Sequence, residues 1–152
     1  MRAYTLGPGL LISGDFIRDK AKQQWLQDNR IDVVVCTLRR TDQDLVCHER
    51  IIYEHVPLPD ARYVDLTALG RLVEIVLGHM AEGRRVLVHC LAGRNRSCLV
   101  AGVALAATTD LTGDGVVDRI RAVRGKAALA NPVFEAFLRD EGYLVLRQDA
   151  QV

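Results

Sequence analysis

The chain has 152 residues, of which 49% are hydrophobic and 26% are charged. This length and composition predict one globular domain over residues 1–152, with enough apolar residues for a sizeable core. The formal net charge of +1 excludes a molecule that binds polyanions over its whole surface, so any affinity for phosphate has to be local. We therefore do not expect nucleic acid as a partner.

The amino-terminal segment has only a short apolar stretch, which is interrupted by Gly7, Pro8 and Gly9. This pattern predicts neither a signal peptide nor a membrane-spanning segment, so we expect no association with membranes. The chain contains four cysteines, which are Cys36, Cys47, Cys90 and Cys98. Without an export signal, these residues are expected to be reduced thiols in a cytoplasmic protein rather than a disulfide framework.

The first half of the chain alternates between strand and helix patterns. Residues 9–13 predict a short strand, and Ile17, Ala21 and Trp25 then recur at the four-residue spacing of an amphipathic helix. Residues 31–38 form a continuous β-branched run that is typical of a strand buried on both faces. Another strand is predicted within residues 50–58, followed by an amphipathic helix over residues 65–83.

The second half begins with a further buried strand at residues 84–90. Residues 97–108 are apolar on nearly all sides and predict a central buried helix, and residues 113–125 predict an amphipathic one. Asn131 and Pro132 are typical of the N-cap and first position of a closing helical segment. Strands that alternate with helices predict an α/β fold with a mostly parallel central sheet flanked by helices.

The segment 86–97, VLVHCLAGRNRS, joins a strand to the buried helix through a short loop. Cys90 ends the strand, and Arg96 follows six positions later. In such a unit the backbone N–H groups of residues 91–96 can turn inward, where the helix N-terminus adds partial positive charge. Gly93 permits the tight turn, and the Arg96 guanidinium can bind two oxygens of one phosphate group. The segment therefore predicts a phosphate-binding loop.

These surroundings are expected to lower the pKa of the Cys90 thiol. A free thiol has a pKa near 8.5, and helix N-termini and cations lower it to roughly 3.5–7.5. Cys90 would then be a thiolate at neutral pH and could attack phosphorus to form a cysteinyl-phosphate intermediate. N–H groups and a guanidinium hold the equatorial oxygens in this scheme, so neither a metal nor another cofactor is expected.

His89-Cys90, Gly93 and Arg96-Ser97 together resemble the HCxxGxxRS signature of the cysteine-dependent protein tyrosine phosphatase superfamily. The short chain is similar to the small dual-specificity type, and the resemblance extends to the segments 11–38 and 121–138. It implies a protein tyrosine phosphatase-like fold and a phosphomonoester hydrolase. The implied partner is a phosphorylated protein or peptide, and we expect phosphate or sulfate ions to bind in the active site.

The resemblance also implies a role for each residue of the signature. Cys90 matches the nucleophile, Arg96 the phosphate-binding arginine, and Ser97 the hydroxyl that eases the departure of the cysteine. His89 matches the histidine that orders the loop and helps to set the pKa of the nucleophile. The phosphate-binding residues are then Leu91, Ala92, Gly93, Arg94, Asn95 and Arg96.

In this superfamily an aspartic acid on a separate loop, about thirty residues before the cysteine, protonates the leaving oxygen. Asp60 precedes Cys90 by thirty positions and follows two prolines on a loop. Asp65 precedes it by twenty-five positions and lies where the next helix is expected to begin. We favour Asp60 as the general acid and Asp65 as a helix cap, although both are compatible with acid catalysis.

Three further features have a structural and a functional interpretation. Arg94 adds charge at the rim and would favour acidic or multiply phosphorylated substrates, and Arg39-Arg40 either lie on the same rim or form a solvated pair. Cys98 is expected to be a small buried residue of the helix, the alternative being a protective disulfide with Cys90.

Other functions remain open at this stage. Cys47-His48 could suggest zinc, but no Cys-x₂-Cys pair accompanies them. The same cysteine chemistry could act on a non-protein phosphate, namely an RNA 5′-phosphate, a phosphoinositide or a phosphorylated glucan. A catalytically inactive phosphate-binding module and a rhodanese-type sulfurtransferase are further alternatives.

Overall fold

The computed structural model describes residues 2–14, 20–40 and 50–149. These residues form a five-stranded, mostly parallel sheet with helices packed on it, which confirms the predicted α/β fold. The strands are β1 (Ala3–Gly7), β2 (Leu10–Ser13), β3 (Val33–Cys36), β4 (Ile52–His55) and β5 (Val86–His89). The helices are α1 (Lys20–Asp28), α2 (Leu66–Ala81), α3 (Arg96–Thr108), α4 (Gly113–Arg124), α5 (Pro132–Arg139) and α6 (Leu144–Asp149).

The strand order β1-β2-β5-β3-β4 places β5 at the centre of the sheet. β5 pairs in parallel with β2 on one side and with β3 on the other. His89, the last residue of β5, lies opposite both Ser13 and Cys36. The carboxyl ends of three strands therefore meet at one edge, and Cys90 emerges from the middle of that edge.

The sequence patterns did not predict β1, which forms an antiparallel hairpin with β2. Pro8 and Gly9 form its turn, and Gly9 takes a positive φ of 73°. Only Leu6 is buried within β1, because this strand is at the edge of the sheet. A strand with one buried side chain lacks the apolar run from which the interior strands were predicted.

Alternation along the strands places most of the core in two clusters, one on each face of the sheet. One face of the sheet packs against α1 through a small cluster that contains Leu11, Leu26, Val34 and Leu87. The other face carries the main core, in which side chains of the strands pack with those of α2, α3, α4 and α5. Burial on both faces explains the continuous apolar runs of β2, β3 and β5, in which every residue is buried.

α3 is the central helix of the main core, as its composition predicted. Its residues from Ser97 to Ala106 are all buried. A Cβ added at Gly102 would lie 3.1 Å from side-chain atoms of both Ile120 and Leu138, so α3 approaches α4 and α5 closely at this glycine. This burial fixes the position of the α3 N-terminus, which begins directly after the loop that follows Cys90.

The caps of the helices agree with the sequence patterns. Asp65 caps α2 by accepting a hydrogen bond from the Ala68 N–H at 3.0 Å. Asn131 caps α5 by accepting from the N–H groups of Val133 and Phe134. The described helices include none that is both long enough and apolar enough to cross a membrane.

Candidate active site

The loop of residues 90–96, here called the signature loop, connects the centre of the sheet to α3. Both neighbouring strands hold its first residue in place. The Cys90 N–H donates to the Ser13 carbonyl at 3.3 Å, and the Thr37 N–H donates to the His89 carbonyl at 3.1 Å. The Thr37 hydroxyl donates to the same carbonyl at 3.0 Å. Cys90 and His89 are both buried, so their positions are set by the sheet.

The Cys90 sulfur is surrounded by hydrogen-bond donors. The Gly93 N–H donates to Cys90 Sγ at 3.2 Å, and the Ser97 hydroxyl lies 3.3 Å from the same atom. Gly93 can direct its N–H inward because it takes a positive φ of 63°, a conformation that glycine adopts without strain. The loop and the first turn of α3 thus enclose the sulfur, as the sequence predicted.

These contacts determine the ionisation of Cys90. Burial by itself raises the pKa of the thiol, because a charged sulfur loses its hydration. The hydrogen bonds from the Ser97 side chain and from the Ser97 and Gly93 backbones act in the opposite direction, together with the charge of Arg96. The net effect lowers the pKa of Cys90 below its usual value, which favours the nucleophilic thiolate.

Arg96 is the first residue of α3 and is half-buried beside the loop. Its Nε atom is buried and has no hydrogen-bond partner among the described residues. A buried donor without an acceptor costs about 1–3 kcal/mol, so most such groups in proteins are paired. A phosphate oxygen is an acceptor that would satisfy this group, and guanidinium–phosphate hydrogen bonds are strong.

Two residues that the sequence analysis did not single out hold the signature loop from outside. Arg124, the last residue of α4, donates from Nε to the Gly93 carbonyl at 3.0 Å and from Nη2 to the Ala92 carbonyl at 3.1 Å. Its guanidinium carbon lies 4.7 Å from the centre of the Tyr4 ring. Because Arg124 binds these carbonyls, the loop keeps the orientation in which the Gly93 N–H faces the sulfur.

Gly14, which follows β2, makes a close backbone contact with the loop. A Cβ at Gly14 would lie 2.3 Å from the Ala92 carbonyl carbon, a distance that real Cβ atoms do not reach. A glycine directly after a buried strand was the local signal for this contact. No comparable signal exists for Arg124, because it reaches the loop from 31 positions away.

Asp60 lies beside the signature loop and is exposed on the segment that follows β4. Its Oδ2 accepts a hydrogen bond from Asn95 Nδ2 at 3.0 Å, and its Oδ1 accepts one from Asn131 Nδ2 at 2.8 Å. Asn95 belongs to the loop, so this contact brings the carboxyl of Asp60 to the candidate site. The carboxylate of Asp65 instead caps α2.

Cys98 contacts the signature loop through a hydrogen bond of its own. Its thiol donates to the Gly93 carbonyl at 3.6 Å. Burial, followed by the charge of Cys90, raises the pKa of Cys98 to about 12, so this thiol stays protonated. This supports the structural interpretation of Cys98. Cys36 packs in the same small buried cluster as Cys90, and the three cysteines within the described residues are free thiols.

The remaining predicted residues lie at the rim of the loop or outside the described part. Leu91, Ala92 and Arg94 are exposed, and Arg39-Arg40 are exposed just beyond the end of β3. Cys47-His48 lie outside the described residues. Within the described ranges, no three His, Cys, Asp or Glu side chains are grouped so that they could hold a metal ion.

Comparison with known proteins adds independent evidence. Cyclin-dependent kinase inhibitor 3 of Mus musculus is 30% identical over 86 residues, which are 57% of this chain and 41% of that protein. The Rattus norvegicus protein of the same name is 32% identical over 87 residues, again 57% and 41% of the two chains. This chain therefore spans about two fifths of the length of the curated relatives it matches.

Solved structures show the same fold at low identity. The structure of DUSP15 superposes with a TM-score of 0.79 at 24% identity, covering 96% of this chain and 90% of the other. Kinase associated phosphatase, with its catalytic-site cysteine replaced by serine, gives a TM-score of 0.79 at 20% identity and covers 95% and 94%.

The family model described as "Dual specificity phosphatase, catalytic domain" matches residues 17–141, which include Asp60 and the whole signature loop. This match covers most of the chain and confirms the resemblance that the signature suggested. The chain therefore belongs to the dual specificity phosphatase catalytic-domain family.

Proposed function

We propose that this chain is a cysteine-dependent protein phosphatase that hydrolyses phosphate monoesters of tyrosine and of serine or threonine. The observation that carries this proposal is the buried Cys90 sulfur, held between the donors of Gly93 and Ser97 with its pKa lowered. A structural cysteine in the core has no need of such donors and usually shows a raised pKa, as Cys98 does.

In the first step, the Cys90 thiolate attacks the phosphorus of the substrate. The Sγ–P bond forms as the ester P–O bond breaks, and the carboxyl proton of Asp60 passes to the leaving oxygen of the protein side chain. The Arg96 guanidinium and the inward N–H groups of the loop hold the other phosphoryl oxygens. Donors placed where charge develops in the transition state lower the barrier without any reorganisation.

In the second step, a water molecule attacks the phosphorus of the cysteinyl-phosphate. Asp60, now a carboxylate, accepts a proton from this water as the new O–P bond forms. The Sγ–P bond breaks, inorganic phosphate is released, and the electron pair returns to sulfur. The Ser97 hydroxyl, 3.3 Å from Sγ, stabilises the departing thiolate.

The rim of the site supports a phosphorylated protein or peptide as the substrate. Leu91, with 56% of its surface exposed, offers an apolar contact at the first position after the nucleophile. Arg94 is exposed on the same loop, and its charge would favour acidic or multiply phosphorylated sequences around the target residue. A thiolate nucleophile also has to stay reduced, which supports a reducing compartment such as the cytoplasm.

Three variants test the assignment of the catalytic residues. Cys90→Ser is expected to reduce the turnover of 4-nitrophenyl phosphate to background and to abolish the phosphoenzyme trapped by acid quenching. Asp60→Asn should lower kcat on phosphotyrosine peptides by about 10²–10⁴-fold, the usual contribution of general acid–base catalysis. Asp65→Asn is the matched control, because asparagine caps helices as well as aspartate.

Residual turnover of Cys90→Ser close to wild type would contradict the mechanism, and a larger loss in Asp65→Asn than in Asp60→Asn would contradict the choice of acid. A panel of phosphotyrosine, phosphothreonine, RNA 5′-phosphate, phosphoinositide and phosphoglucan substrates then tests the substrate class. Binding of phosphopeptides without any hydrolysis would identify an inactive phosphate-binding module instead.

A further inference from the structure

Asn95 occupies the N-cap position of α3, but its side chain makes no capping hydrogen bond. Asparagine at this position ordinarily accepts from the N–H of the second or third helical residue. Asp65 and Asn131, the caps of α2 and α5, do so in this structure. The second residue of α3 is Ser97, whose backbone N–H instead contributes to lowering the pKa of the Cys90 thiol. The Asn95 side chain is therefore able to form hydrogen bonds outside α3.

Both ends of the Asn95 amide are hydrogen-bonded outside the helix. Nδ2 donates to Asp60 Oδ2 at 3.0 Å, and Oδ1 accepts from the Asn131 backbone N–H at 2.9 Å. The Asn131 side chain completes a ring by donating from Nδ2 to Asp60 Oδ1 at 2.8 Å. The ring joins three segments of the chain that are 35 and 36 positions apart: the loop after β4, the signature loop and the start of α5.

The ring fixes the orientation of both amides. A backbone N–H can only donate, so the oxygen of Asn95 has to face Asn131 and its NH₂ group has to face Asp60. The Asn131 oxygen likewise accepts from the N–H groups of Val133 and Phe134, which turns its NH₂ group to Asp60. Each carboxyl oxygen receives one of these bonds and keeps a further lone pair for the proton that it exchanges during catalysis.

We propose that Asn95 is a positioning residue that holds the Asp60 carboxyl against the signature loop, where its proton can reach the leaving oxygen. This inference rests on the proposed phosphatase function. Asp60 is exposed on a connecting segment, so the rotamer of its side chain depends on its hydrogen bonds more than on packing. Asn131 anchors the carboxyl to α5, whereas Asn95 anchors it to the loop that carries Cys90. Misplacement of a catalytic group by about 1 Å can cost as much as 10²-fold in rate.

Leaving groups of different basicity separate this role from a merely structural one. Phenolate is a poor leaving group and depends on a proton from Asp60, whereas 4-nitrophenolate leaves readily without one. The ratio kcat/KM reports the first step, in which Asp60 acts as the acid. In that step, a group that only positions Asp60 matters for phenyl phosphate and much less for 4-nitrophenyl phosphate. A group that shapes the phosphate site would affect both substrates equally.

Asn95→Ala and Asn95→Asp are the informative variants. Asn95→Asp keeps the size and the acceptor for the Asn131 N–H but cannot donate to Asp60 when ionised, and it adds a like charge. Asn95→Ala is expected to lower kcat/KM for phenyl phosphate by about tenfold, a part of the 10²–10⁴-fold effect of a general acid. Asn95→Asp should lower it further, because its charge also repels the phosphate group. In Asn95→Ala the loss of kcat/KM for 4-nitrophenyl phosphate should be several-fold smaller than the loss for phenyl phosphate, because the variant keeps the backbone N–H that Asn95 contributes to the phosphate-binding loop.

Gln24→Ala is the matched control, because Gln24 on α1 donates its side-chain amide to the Asp28 carboxylate at 2.8 Å. This variant removes the same type of hydrogen bond outside the site, so it should leave kcat/KM for both substrates unchanged. Equal losses of kcat/KM for the two substrates in Asn95→Ala, or no loss for phenyl phosphate, would overturn the positioning role.

A measurement of stability, which does not depend on catalysis, tests this inference separately from the proposed function. In a double-mutant cycle of Asn95→Ala and Asp60→Ala, followed by urea unfolding, the double variant should lose less stability than the sum of the single losses. Strict additivity would show that the two side chains do not interact in solution and would overturn the inference. A third outcome is that the cycle shows coupling while the wild-type protein hydrolyses neither aryl phosphate. The contact between Asn95 and Asp60 would then be real, but the catalytic role and the proposed function would both be refuted.

Discussion

Two cysteines eight positions apart show how the surroundings of a residue decide its chemistry. Cys90 and Cys98 are both buried, and burial raises the pKa of both thiols. At Cys90, donors from Gly93 and Ser97 and the Arg96 charge together outweigh burial and lower the pKa. At Cys98, the Arg124 charge and a Ser97 hydrogen bond also lower the pKa, but burial outweighs them. Cys98 is instead a donor to a carbonyl, and the nearby Cys90 charge raises its pKa further.

The dependence of Cys90 reactivity on pH tests this difference. The thiolate is the reactive form, so its alkylation by iodoacetamide rises with pH through the pKa of Cys90. Burial raises that pKa and the Ser97 hydrogen bonds lower it, so Ser97→Ala should move the inflection to higher pH. A hydrogen bond to a charged group contributes about 1.5–3 kcal/mol, so the rate below the inflection should fall by roughly tenfold or more.

Cys90→Ser is the control for this experiment, because it removes the thiol whose reaction is measured. An unchanged inflection in Ser97→Ala would show that the Ser97 hydroxyl does not stabilise the thiolate. The phosphatase activity does not enter this measurement, so the result concerns the ionisation of Cys90 alone.

At the scale of elements, the signature loop is held in place by contacts with the elements that surround it. The end of β2 meets it at Gly14, and the end of α4 binds its carbonyls through Arg124. The buried α3 fixes the far end of the loop. A loop held on each side is pre-organised, so it does not have to order itself when a phosphate group binds.

Substitution of Gly93 by alanine tests how tightly the loop is held. A Cβ at Gly93 would lie 2.7 Å from the Gly14 nitrogen and 2.8 Å from the Ser13 carbonyl carbon, in addition to the strain of a positive φ. We expect a loss of stability clearly above the roughly 1–2 kcal/mol that a left-handed alanine costs, together with a large loss of kcat/KM. Urea unfolding and steady-state kinetics measure these two effects.

Gly83→Ala is the matched control. Gly83 also has a positive φ, of 77°, but an added Cβ would meet nothing within 4 Å. Its substitution should cost only the backbone strain, with kcat/KM unchanged. Equal losses of stability in the two variants would show that the loop can move away from Gly14 without penalty.

At the scale of the whole molecule, the sheet concentrates a local positive site in a nearly neutral protein. The formal net charge is +1, yet Arg96, the N-terminus of α3 and inward N–H groups all lie at the central carboxyl edge of the sheet. Ligands of open α/β sheets bind outside this edge. Affinity for phosphate is therefore expected to depend on this one site rather than on the overall charge.

Binding of inorganic phosphate should stabilise the folded protein. A ligand at 100 times its Kd adds about 2.7 kcal/mol to the free energy of unfolding. We expect phosphate, and sulfate more weakly, to raise the Tm of the wild-type chain in a saturable manner. Arg96→Ala should remove most of this rise in Tm, because the Arg96 guanidinium is half-buried beside the loop and its Nε lacks an acceptor among the described residues.

Arg139→Ala is the control, since Arg139 on α5 pairs with Asp114 at 2.9 Å and is not part of the loop. This variant should keep the phosphate-dependent shift even if its own Tm is lower. If phosphate raised the Tm of Arg96→Ala as much as that of the wild type, phosphate would have to bind elsewhere on the molecule.

The sequence by itself determined the interior of the fold and the family. The apolar runs of β2, β3 and β5 and the spacing of α2, α3 and α4 are local patterns, because each records the burial of its own element. The signature from His89 to Ser97 is also local, since one loop supplies the nucleophile, its hydrogen-bond donors and the arginine. Adjacent residues on one loop remain adjacent in any fold that contains it.

Only the tertiary structure decided the parts of the site that come from different segments. β1 was not predicted, because an edge strand has little apolar surface of its own to bury. The supports from Gly14 and Arg124 arise from the packing of β2 and α4 around the loop. The ring around Asp60 joins residues up to 71 positions apart, and no local spacing encodes a contact of that separation. Such contacts exist only once the sheet has brought the strand ends together. The sequence therefore indicated Asp60 by its spacing from Cys90, whereas its hydrogen bonds to Asn95 and Asn131 are seen only in the structure.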